Sequence, residues 1–353
     1  MNIVQDIKSN IEKTYSVKDH PELYGFSNYI HNLNRREIIK YEENSEDKSY
    51  LFIPAANGGS IAALAILICL LSGNNVYIRI PRRGLGIEMK SLIDIFLLQE
   101  ELSKKITILS SDEFQKIIDS GKKNFEKLLA WGSYSTKPII QDFAKKISVD
   151  MIYFGSNSTC CIFDIDLFNQ QNKAKKAMLV DSLISDILTF DQNGCTSCKY
   201  IYFKSKKKLE LSNFLREVNK TASNSRHAKT LSLQSKMSVF FQSSINKIFT
   251  LGEKKFISKD RIWFVNFSQL NSNSHIDFDK LNSGIVGYTL LDDVESIRKI
   301  DFSSIKLITQ FCQLPLENLI PDLNKNNIKI KPVGQANSLD FVWDGVDLIS
   351  LFD

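Results

Sequence analysis

The sequence predicts an α/β protein built on a doubly wound, largely parallel sheet with helices on both faces. Three observations carry this. From Ser49 to Leu188, strand-like and helix-like segments alternate. The strand-like segments are apolar almost throughout, as strands are when helices cover both faces of their sheet. Two glycine-bearing turns, Asn57–Gly59 and Trp131–Ser133, follow predicted strands, at the sheet edge where such folds bind ligands.

Residues 1–48 read as a polar amino-terminal extension, with helices over Val4–Thr14 and Arg35–Glu42. Tyr50–Ile53 is the first strand and stops at Pro54. A small-residue loop then leads to Ser60, placed to cap an apolar helix through Leu71. Ser72-Gly73-Asn74 closes that helix, and Val76–Ile80 is the next strand. Ile87–Leu102 predicts a helix, Ile106–Leu109 a strand, Asp112–Ile118 a helix and Lys127–Trp131 a strand. Pro138 suits the opening of a helix through Lys146. Met151–Phe154 and Cys161–Phe163 are strands, and a helix over Ala174–Leu188 follows.

Further on, Tyr200–Phe203, Ile262–Phe264, Gly287–Leu291, Ile305–Ile308 and Ile328–Ile330 read as strands. Helices are predicted over Leu209–Val218, in the serine-rich stretch Thr221–Lys247 and over Leu316–Leu323.

The chain has 353 residues and is 43 % hydrophobic, enough for one large or two medium domains, and no long linker separates them. Its net charge of +5 comes from scattered lysines, apart from Lys204–Lys208, which reads as a solvated rim. No finger, homeodomain-like helix or aromatic-basic motif accompanies the charge, so no nucleic-acid partner is expected. Ile61–Leu71 is too short to span a bilayer, and the first residues lack the pattern of a secretory signal. The expectation is a soluble, cytoplasmic protein with no membrane span. Of six cysteines, Cys69 lies in an apolar run and Cys160–Cys161 open a strand, which suits reduced core thiols.

The segment Thr189-Phe190-Asp191-Gln192-Asn193-Gly194-Cys195-Thr196-Ser197 is a polar loop between a helix end and a strand. A thiol nucleophile needs such a turn, because the oxyanion formed by its attack must meet fixed N–H donors. Local sequence leaves two readings open, a half-buried loop cysteine and a nucleophile. The four histidines, His20, His31, His227 and His275, have no metal spacing and none suggests a base for Cys195. A thiolate stabilised by N–H dipoles or cations needs no such base. Cys195 and Cys198 form a CxxC without a second half, so no metal site is expected; a disulfide between them would silence the proposed nucleophile.

Several landmarks in order resemble one family. They are Pro54-Ala55-Ala56-Asn57-Gly58-Gly59-Ser60, Gly73–Arg79, Ala130-Trp131-Gly132-Ser133, Phe154-Gly155, Asp191–Ser197, and Gly334-Gln335-Ala336 with Trp343-Asp344-Gly345-Val346-Asp347. From about Leu51 to the carboxyl end the chain is similar to the acyl-CoA reductases that supply long-chain aldehyde to bacterial luciferase, a branch of the aldehyde dehydrogenase superfamily. It departs from them at Arg79, usually lysine, at Asn157, near another usual lysine, and at Cys198, often proline.

The resemblance implies an aldehyde-dehydrogenase-like fold: a Rossmann-type dinucleotide-binding domain over 49–185, an α/β catalytic domain over 186–310, and a carboxyl-terminal segment, 311–353, returning to the domain interface. It implies NADPH-dependent reduction of a fatty acyl-CoA, or an acyl group on a carrier or protein, to the aldehyde through a Cys195 acyl-enzyme. The Cys195 backbone N–H and Asn57 side chain would form the oxyanion hole. Arg79 would meet the adenosine phosphate, with Gly132 and Ser133 close to the dinucleotide. A non-catalytic scaffold of the same fold and an oxidising aldehyde dehydrogenase are the alternatives. The second lacks its usual Glu-Leu-Gly-Gly landmark before the cysteine. The resemblance also implies an acyl-protein synthetase partner that activates the acyl group, and the absence of an adenylation-type phosphate loop from the chain accords with it; a homo-oligomer is also expected.

Overall fold

The computed structural model describes residues 3–15, 23, 26–27, 29–30, 48–55, 60–81, 87–120, 125–133, 135–155, 158–188, 192, 195–224, 256–257, 263–266, 285–291, 293, 295–303, 305–313, 316–320, 323 and 327–352. Two compact units emerge: Met1–Ser156 with Leu339–Asp353, and Asn157–Ser338.

In the first unit, helix α1 (Ile3–Thr14) precedes a strand-helix alternation. Its members are β1 (Ser49–Ile53), α2 (Ser60–Leu71), β2 (Asn75–Arg79), α3 (Ile87–Leu97), α4 (Glu100–Ser103), β3 (Ile106–Leu109), α5 (Ser111–Ser120), β4 (Lys127–Trp131), α6 (Lys137–Lys146) and β5 (Asp150–Phe154). The sheet order is β3-β2-β1-β4-β5, and every neighbouring pair is parallel. Side chains alternate between two cores. Tyr50, Phe52, Leu129 and Trp131 face α1–α3, while Leu51, Leu128 and Ala130 face Phe143 and Ile147.

Helix α2 carries no charge, and all twelve residues are buried. It ends in a Schellman turn: Gly73, at φ 81°, donates its N–H to Leu70 and Asn74 donates to Cys69. The expected helix Ile87–Leu102 is two helices. Gln99 donates its N–H to the Phe96 carbonyl and takes an extended conformation before Glu100, which ends one helix and starts the next.

The second unit contains β6 (Ser158–Asp164), α7 (Ile165–Asn169), α8 (Lys173–Leu188), β7 (Cys198–Lys204), α9 (Lys208–Asn224), β8 (Phe256–Ile257), β9 (Trp263–Asn266), β10 (Ile285–Leu291), β11 (Ile305–Phe311) and β12 (Lys329–Pro332). Its sheet runs β12-β11-β6-β7-β10-β9-β8, parallel except for the β8–β9 pair. Cys161, Phe163, Ile201 and Phe203 face α7–α9, and Cys160, Ile162, Tyr200 and Tyr202 face a core completed by Ile297, Phe302 and Leu316. Lys204 is not part of a solvated rim: it pairs at 2.6 Å with Asp164, which is itself buried and caps α7. In the predicted helix Leu316–Leu323 the described residues carry a 3-10 turn over Leu316–Asn318. The predicted helix Arg35–Glu42, and Thr221–Lys247 beyond residue 224, lie outside the described residues.

The units divide the chain elsewhere than at residues 185 and 310. Strand β6 hydrogen-bonds β7 and β11, and α8 packs on that same sheet, so 158–185 belongs with the second unit. Strand β12 extends that sheet, while the last residues join the first unit's core through Leu348 and Phe352. These last residues also form a hairpin, β13 (Val342–Trp343) with β14 (Val346–Asp347), through Asp344 and Gly345 at positive φ. Among the described residues no helix is long and apolar enough to cross a membrane.

Candidate active site

Cys195 lies in the chain between Gln192 and β7, with hydrogen bonds from Gln192, Thr159 and Thr196 around it. Gln192 is fully buried at φ 61° and donates from Nε2 to the Cys198 carbonyl at 3.2 Å. The Thr159 hydroxyl, from the start of β6, donates to the Cys195 carbonyl at 2.9 Å. The Thr196 hydroxyl donates to Asn337 Oδ1 at 2.5 Å. Two anchors therefore flank the peptide between Cys195 and Thr196, one on its carbonyl and one on the following side chain.

The cysteines separate by environment. Cys69, Cys160, Cys161 and Cys198 are buried, whereas Cys195 and Cys312 are half-buried. Burial pushes the thiols of all four buried cysteines above their ordinary range, so they stay protonated. Cys198, the other half of the CxxC, points its thiol to the Tyr200 carbonyl at 3.3 Å. None of the six cysteines is part of a disulfide, and among the described residues no group of histidine, cysteine and carboxylate side chains could hold a metal.

Sequence reasoning missed Asp186. It lies on the last turn of α8, fully buried, with Oδ2 accepting the Gly334 N–H at 2.8 Å and Oδ1 the Ala336 N–H at 2.9 Å. Burial pushes its carboxyl up to about 6 against the pull of those two N–H groups. An acidic residue among Leu183, Ile184 and Ile187 on a buried helix face was the available signal.

In the first unit, Arg79, Gly132 and Ser133 lie at the carboxyl ends of β2 and β4, on one edge of the sheet. Strand order reverses between β1 and β4, which makes this edge the topological switch point. The Arg79 guanidinium reaches Ser111 Oγ at 3.0 Å at the start of α5, bonds the Ile80 carbonyl, and lies over the Phe114 ring at 5.2 Å. Gly132 could not be another residue without movement: a Cβ there would meet Thr136 Oγ1 at 2.6 Å and the Tyr153 hydroxyl at 2.7 Å. Both hydroxyls also reach the Ser133 carbonyl, at 2.8 and 2.6 Å, which fixes the turn after β4. Because Thr136 spends its hydroxyl there, it does not cap α6, whose first turn carries no acidic residue. That leaves the helix start suited to an anion. Asn57, with the rest of residues 56–59, and Asn157 lie outside the described residues.

A family model described as Acyl-CoA reductase (LuxC) matches residues 20–294. No curated protein matches the sequence. Among solved structures, succinic semialdehyde dehydrogenase from Streptococcus pyogenes, in complex with NADP+, is similar with a TM-score of 0.62 and 11 % identity. That match covers 94 % of this chain and 80 % of the other. Aldehyde dehydrogenase 21 from Physcomitrella patens, bound to succinate, gives 0.63 at 10 % identity, over 96 % and 78 % of the two chains. A variant of 1-pyrroline-5-carboxylate dehydrogenase from Thermus thermophilus gives 0.63 at 10 %, over 99 % and 79 %. The fold is therefore aldehyde-dehydrogenase-like.

Proposed function

Because the chain belongs to the acyl-CoA reductase (LuxC) family of aldehyde-forming oxidoreductases, we propose that it reduces an acyl thioester to the aldehyde with NADPH, through a Cys195 acyl-enzyme. The observation that carries this reading is Cys195 itself: a half-buried thiol on a pinned loop, beside buried thiols held in their protonated form. Its thiolate attacks the acyl carbonyl carbon, the carbon–sulfur bond to coenzyme A or a carrier breaks, and the carrier thiol leaves. NADPH, when bound, supplies hydride to the acyl carbon. The resulting thiohemiacetal expels the Cys195 thiolate and releases the aldehyde. The Cys195 backbone N–H and the Asn57 amide are the donors for the oxyanion, each worth about 3 kcal/mol in the transition state.

The carboxyl edge of the first sheet fits a dinucleotide. Arg79 offers a fork-shaped cation at the end of β2 for the adenosine phosphate, and the uncapped start of α6, beside Gly132 and Ser133, suits the diphosphate. A medium or long acyl chain, delivered by a separate acyl-protein synthetase to a homo-oligomeric reductase, completes the reading.

The test incubates wild type and Cys195→Ala with NADPH and acyl-CoAs from acetyl to palmitoyl, following NADPH loss and acyl-enzyme mass. Thioester-dependent turnover and a covalent acyl adduct should both vanish in Cys195→Ala. Turnover that survives the substitution defeats the mechanism. Absence of turnover and of Cys195 acylation with every donor favours the scaffold reading, and preferential labelling by acetyl donors overturns the chain-length assignment.

A further inference from the structure

Residues 333–337, just beyond β12, lie flat on the last turns of α8. Gly334 has φ +92°, and a Cβ there would come within 2.8 Å of Ser182 Cβ and 3.3 Å of Ser182 Cα. One turn along the helix, Asp186 takes the Gly334 and Ala336 N–H groups on its two oxygens, and Ala336 is fully buried. The next residue, Asn337, receives the Thr196 hydroxyl. A continuous series of contacts therefore runs from helix α8 through residues 334–337 to the residue that follows Cys195, while Thr159 holds the Cys195 carbonyl from β6.

We propose that residues 334–337 are a strap that sets the orientation of the Cys195 loop, with Asp186, Asn337 and Thr196 as positioning residues for the thiol. The physical argument is geometric. With its carbonyl bonded to Thr159 and the next side chain bonded to Asn337, the 195–196 peptide cannot rotate without breaking a hydrogen bond. The direction in which the thiol leaves the backbone is thereby limited, and attack on a carbonyl carbon is sensitive to displacements of about 1 Å. Asp186 sets the strap because a carboxylate accepts on both oxygens, whereas an amide would present a donor to one of the two N–H groups.

The proposal rests on Cys195 being the nucleophile, so the experiment reads the thiol directly as well as turnover. Full-length wild type, Thr196→Val, Asn337→Ala, the double variant and Thr196→Ser are compared. The measurements are kcat and KM with acyl-CoA, thermal midpoint, and the pH dependence of Cys195 alkylation by iodoacetamide, resolved from Cys312 by peptide mass. The strap predicts a fall in kcat of about tenfold in each single variant. It also predicts a double variant no worse than the singles, a changed Cys195 alkylation profile, little change in KM, and recovery in Thr196→Ser. Unchanged alkylation and kcat in both single variants overturn it, as do additive losses that merely follow the thermal midpoint. Failure of the nucleophile reading shows differently, as turnover that persists in Cys195→Ala, and leaves the alkylation comparison interpretable.

Discussion

Asp186 is charged at neutral pH in a place that disfavours charge, and this has a measurable consequence. Burial raises its carboxyl from 3.8 to about 6, opposed by the Gly334 and Ala336 N–H groups and by the Lys331 cation. The thiols of Cys161 and Cys198 face it and stay neutral, since burial pushes both far up. A raised carboxyl favours the fold while protonated, so its contribution is fully present below about pH 4 and is lost as pH rises through about 6. The shift corresponds to about 3 kcal/mol. Relative to Asp186→Asn, wild type should gain stability by roughly that amount between about pH 7 and about pH 4, measured by urea unfolding. Parallel profiles for the two proteins would refute the assignment. Cys195 drew attention in the sequence because it lies in a contiguous local motif, Asp191–Ser197. Asp186 did not, because its partners lie 148 and 150 residues away and only the folded chain brings them together.

At the scale of elements, the strands of the first sheet were legible because a strand covered on both faces must be apolar along its length, as Tyr50-Leu51-Phe52 is. Which sheet a strand joins is not written in it. Strand β6 is buried over all seven residues and reads as the next member of the alternation, yet it pairs with β7 and β11. The turn after β12 was legible only as a glycine landmark, and the structure supplies two separate reasons for that glycine. Gly334 needs a positive φ and also has no room for a Cβ, which would come within 2.8 Å of Ser182 Cβ. Gly345, in the hairpin turn, is exposed with φ 81°. Gly345→Ala should therefore cost about 1–2 kcal/mol for the left-handed backbone, and Gly334→Ala at least about 1 kcal/mol more for the added clash. Equal costs, by thermal or chemical unfolding, would show that the Gly334 turn lifts off the helix without penalty.

For the whole molecule, the chain leaves the first unit after Ser156, builds the second, and returns at Leu339 to complete the first. The return is a packing contribution rather than a loose tail. Phe352 is 2 % exposed, meets Tyr50 edge-on at 5.1 Å and Phe52 at 6.1 Å, and its carbonyl takes a hydrogen bond from the Asn74 side chain at 3.2 Å. Tyr50 and Phe52 belong to β1, the central strand of the first sheet, so the last residues of the chain hold its middle. Removing the ring leaves a cavity beside two aromatic side chains, and Phe352→Ala should cost about 3–5 kcal/mol. That loss belongs to the first unit, because every contact just named lies within it. Hydrogen exchange followed by peptide should therefore speed up across β1, α2 and β2 while β7 and α9 keep their protection. Exchange unchanged across residues 49–79 would mean that the tail does not stabilise the first sheet. Equal acceleration in 198–224 would mean that the two units open as one cooperative body, and the first unit's stability could then not be changed separately from that of the unit that carries Cys195.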